Sequence, residues 1–101
     1  MIRGTTPTFT LTINNETVDL TLAENVYVTF HSRQGDLTKT GDDLEISANV
    51  VNVYLTQEET LSFVAGRCEL QMNWTYNDGS RACTNIVTVD VGANLINEVL
   101  E

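Results

Sequence analysis

A chain of 101 residues with 42% hydrophobic content is long enough for one core, and its single proline and six glycines exclude a linker-like or low-complexity composition. Fourteen acidic residues against five basic ones give a formal net charge of −9, which disfavours nucleic acid or an anionic membrane as a partner and keeps a small protein soluble. Two cysteines are too few for a disulfide framework, and neither a membrane-spanning apolar run nor an export signal is present, so the expectation is one soluble domain in a reducing compartment, without membrane insertion.

Met1 to Thr6 (MIRGTT) reads as a flexible arm. Pro7 opens the first strand, where its missing N–H does least harm, and Phe9, Leu11 and Ile13 then alternate with Thr8, Thr10 and Thr12. Asn14-Asn15 is a turn, Val18, Leu20 and Leu22 resume a short extended piece, and Glu24-Asn25 breaks it. From Asn25 to Arg33 a strand places Val26, Val28 and Phe30 on one face and Tyr27, Thr29 and His31 on the other. Gln34-Gly35-Asp36 turns the chain into Leu37 to Thr40, and Gly41-Asp42-Asp43 turns it again before Leu44 to Ser47. Val50 to Leu55 follows, with Val51, Val53 and Leu55 in one phase. Thr56-Gln57-Glu58-Glu59 fits a capping box, Thr56 capping and Glu59 reaching back, so a short helical connector is expected near 57–63, with Leu61 and Phe63 docked on the core.

The chain is organised around Gly66 to Val91. Cys68, Leu70, Met72, Trp74 and Tyr76 alternate with polar residues, the period of a strand with one dry and one wet face. Asp78-Gly79 is the pair that a two-residue type I′ hairpin turn requires. That turn sets Asn77 against Ser80, Trp74 against Cys83, Leu70 against Val87 and Cys68 against Val89. Cys68 and Cys83 then lie in different cross-strand pairs, and both read as small, buried, unbridged thiols.

Short strands punctuated by turns, with one helical connector, describe an all-β fold: an antiparallel β-sandwich of immunoglobulin-like size with about seven strands. Residues 1–6 form the arm, 7–92 the single domain, and 93–101 a tail. In that tail Leu95, Ile96, Val99 and Leu100 stand at helical spacing, as a short helix or a contact segment that docks on this domain or on a partner.

No constellation of residues assigns a catalytic, cofactor-binding or metal-binding site, and no cofactor is implied. His31, the lone histidine, stands on the outer face of a strand and has no HxH, CxxC or HExxH companion. Asp42, Asp43 and Glu45 are too closely spaced for a calcium loop, and Glu58 and Glu59 complement a helix dipole. Trp74, Tyr76, Tyr27 and Tyr54 are candidates for a sugar-stacking platform, but Trp74 shares its face with Leu70 and Met72, as a core residue does.

The segments MIRGTTPTFTLTI, NVYVTFHSRQGDL, LTQEETLSFVAGRCELQ and DGSRACTNIVTVDVG carry a resemblance over nearly the whole chain. Together they resemble small phage and prophage structural proteins of Gram-positive bacteria, which are similar to the N-terminal domain of phage baseplate upper proteins. The LTQEET connector is the most distinctive of these segments. The resemblance implies a β-sandwich in a tail or baseplate, a non-enzymatic structural role, and a virion component assembled in the bacterial host cytoplasm. Its partners would be other phage tail or baseplate proteins, or further copies of itself. Baseplate upper proteins usually continue beyond this domain, so for a copy ending at Glu101 the implied role is an adaptor rather than a receptor-binding arm. The alternative is a stand-alone sandwich that binds a carbohydrate or peptide on a sheet face or edge. Clustered exposed aromatics would favour the binding module, whereas an exposed apolar terminal segment would favour the assembly protein.

Overall fold

The computed structural model describes residues 1–15 and 17–101. Among these residues eight strands run in the order β1 (Thr8–Thr12), β2 (Asn25–Ser32), β3 (Gly35–Thr40), β4 (Leu44–Ser47), β5 (Val50–Tyr54), β6 (Gly66–Thr75), β7 (Arg81–Cys83) and β8 (Val87–Val91). One helix, α1 (Gln57–Leu61), lies between β5 and β6. The strands form two antiparallel sheets, β1-β5-β4 and β3-β2-β6-β7, with β8 also paired to β6. The expected all-β sandwich is what the chain forms. Because β7 and β8 pair end to end along β6, they are two halves of one interrupted strand, and the count is seven strands or eight depending on that break.

The centre is the β2–β6 pair, aligned Val26↔Trp74, Val28↔Met72 and Phe30↔Leu70. All six side chains point inward and are buried, while Tyr27, Thr29 and His31 face out, as the alternation along each strand requires. Val51, Val53 and Leu55 oppose them from the smaller sheet, and Phe30 stacks between Phe9 and Phe63, with ring centroids 5.4 and 6.0 Å away. Each fully buried aliphatic or aromatic side chain contributes about 1.5–3 kcal/mol, so this layer supplies most of the folding free energy.

The connector forms as its sequence predicts. Thr56 Oγ1 accepts from the Glu59 N–H, and Glu59 Oε1 accepts from the Thr56 N–H. Glu59 also pairs with Lys39 of β3 at 2.6 Å, with both side chains largely covered, so one carboxylate caps the helix and ties it to the sheet edge.

Four expectations are corrected. The Asp78-Gly79 turn is not a two-residue type I′ turn: Gly79 has φ +87° whereas Asp78 stays at negative φ, and Tyr76, not Asn77, faces Ser80. A three-residue loop with glycine in the left-handed region results, and Asp78 Oδ1 braces it by accepting from the Ser80 N–H and hydroxyl. Pairing near the turn is therefore one residue off: Trp74 lies opposite Ala82, and Cys83 opposite Asn73. By Leu70↔Val87 and Cys68↔Val89 the expected register has returned. The difference is absorbed by a bulge in which Gln71 and Met72 face three residues, Thr84, Asn85 and Ile86. There Thr84 Oγ1 takes the Met72 N–H, as a backbone carbonyl would. The slip also turns Cys83 outward, so only Cys68 is a buried thiol; both cysteines are unbridged.

The second correction is local. Leu20–Leu22 is a 3-10 turn rather than an extended piece, capped by Asp19 accepting from the Thr21 N–H. Third, of the two forms expected for residues 93–101 the short helix is absent, since so short a segment does not hold one by itself, and the tail backbone is instead bonded to this domain. Fourth, Met1–Thr6 is hydrogen-bonded to the domain rather than free of it. Ile2 bridges Gly92 in parallel, Arg3 N donates to Gly92 O, and Thr60 Oγ1 donates to Thr5 O.

Candidate functional site

The arm and the tail lie side by side next to α1, and Arg3 joins all three. Its Nε donates to Phe63 O at 2.6 Å and its Nη2 to Leu61 O at 2.8 Å, satisfying carbonyls at and just beyond the helix end. The remaining Nη1 donates to Asn97 Oδ1 at 2.7 Å. Asn94 Nδ2 reaches back to Arg3 O, and its Oδ1 accepts from the Ile96 N–H. Farther along, the Gln57 amide exchanges two hydrogen bonds with the Leu100 backbone at 2.8 and 2.9 Å, much as a paired strand residue would.

These ties fix the tail backbone but leave its apolar side chains outside. Leu95 is fully exposed, Ile96, Val99 and Leu100 stand near half exposure, and Ile2 of the arm is exposed to a similar degree. Glu98 and Glu101 of the same segment, and Glu58 of α1, are also exposed. Four apolar side chains left outside on a backbone held by polar bonds make an exposed apolar segment of the kind that a soluble monomer rarely shows.

The other sequence candidates are scattered. His31 stands on the outer face of the larger sheet, paired with Asp36 of β3 and opposite Glu69 of β6. The hydrogen bond and charge of Asp36, with a smaller contribution from Glu69, raise its pKa above the ordinary 6.5. Among the described residues, no three His, Cys, Asp or Glu side chains are arranged to hold a metal ion. Asp42 and Asp43 lie in a 3-10 turn, and Glu45 accepts from the Tyr54 hydroxyl. Trp74 is buried and donates its indole N–H to the Tyr76 hydroxyl. Tyr27 and Tyr54 are exposed on opposite outer faces of the sandwich, so the aromatics form no common platform.

Sequence reasoning singled out the apolar tail residues but missed Arg3, Asn94, Asn97 and Gln57, which hold them in place. Their partners lie 43 to 94 positions away, and no local pattern announces them. No protein-family model, curated protein or solved structure matches this chain.

Proposed function

We propose that this chain is a non-enzymatic structural subunit of a phage or prophage tail or baseplate, working through protein–protein contacts. One observation carries the reading: Leu95, Ile96, Val99 and Leu100 are held outward on a backbone that Arg3, Asn94 and Gln57 have already fixed. An apolar segment pre-ordered in this way loses little conformational entropy on docking, so its buried area converts efficiently into affinity. The net charge of −9 suits a neighbouring subunit with a basic surface. The whole-chain resemblance to small phage structural proteins supports the same reading, and contacts too weak for an isolated domain gain strength by repetition around a symmetric ring.

The test is to induce the parent prophage, purify particles on a density gradient and search them for this chain by mass spectrometry. A stoichiometric presence in the particle band is the expected result. Recovery only in the soluble host fraction would reject the structural role.

A further inference from the structure

The edge strand β1 pairs with β5 on one side and has its other side without a partner strand among the described residues. Leu55 N donates to Pro7 O, and Ile13 N to Asn49 O, so the odd-numbered residues of β1 direct their backbone groups to β5. The N–H and C=O groups of Thr8, Thr10 and Thr12 therefore point away from the sheet, a ready template for another strand.

The other edges are guarded by charge or irregularity. β3 carries Asp36 and Lys39, β4 carries Glu45, β8 carries Asp90, and β7 carries Arg81 and ends at the bulge. By contrast, the stretch from Gly4 to Asn15 contains no charged side chain. In a protein of net charge −9, this is the edge where two copies meet with least repulsion.

The edge is also self-complementary. A two-fold axis through Thr10 sets Thr10 against its own copy, Thr8 against Thr12, and Phe9 against Leu11. All outward backbone groups then pair, and every outer-face cross-strand pair is Thr–Thr, a favourable combination. Beside the edge lies an open hollow of about 240 Å³ between β1 and the bulge, lined by Leu11, Ile13, Leu70, Met72 and Val87. Val87 is more than half exposed there. We propose that β1 pairs antiparallel with β1 of a second copy about Thr10, joining the two smaller sheets into one six-stranded sheet and covering this apolar gap.

The proposal rests on the reading of the chain as an assembly protein but is tested separately. In sedimentation equilibrium from micromolar to millimolar concentration, the wild-type mass should rise from 11.2 kDa toward twice that value. Thr10→Pro should abolish the rise, because it removes an outward N–H without breaking a bond to β5. Thr38→Pro, at the other sheet's β3 edge, should leave the rise intact. If circular dichroism shows Thr10→Pro unfolded, Thr10→Lys decides instead, since it sets two ammonium groups face to face at the axis. A wild type that stays monomeric throughout, a folded position-10 variant that associates normally, or equal loss in Thr38→Pro would overturn the edge pairing. Presence in particles without self-association would sink this proposal alone.

Discussion

The β2–β6 pair and the terminal strap, the arm and tail joined through Arg3, are both held by hydrogen bonds, but they are built in opposite ways. In the central pair the backbone supplies the bonds, the side chains supply the burial, and Val26, Phe30, Met72 and Trp74 are nearly dry. In the strap the polar side chains of Arg3, Asn94 and Gln57 supply the bonds, and the apolar side chains are left to solvent. The first region spends its hydrophobic surface on folding. The second leaves it exposed, where the proposed assembly role would use it.

That contrast is sharpened by substitutions that act on one region at a time. Trp74→Ala should have the largest effect, lowering stability by about 3–5 kcal/mol through loss of a buried aromatic and the cavity left behind. Urea denaturation measures this, and a midpoint shift no larger than that of a surface substitution would place Trp74 outside the core. Arg3→Ala should cost about 2 kcal/mol, the range for hydrogen bonds from a charged donor. Its more telling readout is local: amide exchange should accelerate across 94–100 while residues 26–30 stay protected. Uniform acceleration would mean that the strap and the core are one cooperative unit.

A smaller effect should come from Glu59→Gln, which keeps the capping box but removes the charge facing Lys39. At neutral pH the expected loss is about 1 kcal/mol or less, the scale of a partly exposed ion pair. Partial burial pushes the Glu59 carboxyl up, but the Lys39 ammonium and the bonds from Thr56 outweigh it and hold its pKa below the ordinary 4.5. A carboxylate depressed in the folded state stabilises above its unfolded pKa, and that contribution fades as pH falls through the folded value. The gap between wild type and Glu59→Gln should therefore be full above pH 4.5 and close in stronger acid. A gap that persists in strong acid would show that the effect comes from the helix cap and not from the charge.

What could be read from the sequence follows the same division. The inward phase of Val26, Val28 and Phe30 and of Leu70, Met72 and Trp74 was readable because alternation is local. The Thr56–Glu59 box was readable because its partners are three residues apart. The turn at Asp78-Gly79 was located but its type was not, since the same pair serves a two- or a three-residue loop, and the choice lies in the Asp78–Ser80 bonds. Cys83 was misplaced for the same reason: a bulge at Thr84 shifts every side chain between it and the turn. In the tail, helical spacing of Leu95, Ile96, Val99 and Leu100 suggested a helix, whereas the backbone is held by Arg3 and Gln57, whose role no short window contains.

The most direct test of this division is a paired measurement on Leu95→Asp combined with Val99→Asp. Both side chains are exposed and outside the core, so the urea midpoint should match wild type, while incorporation into purified phage particles should be lost. Unchanged incorporation, or a midpoint lowered as far as that of a core variant, would contradict the claim that the tail's apolar residues serve a partner and not the fold.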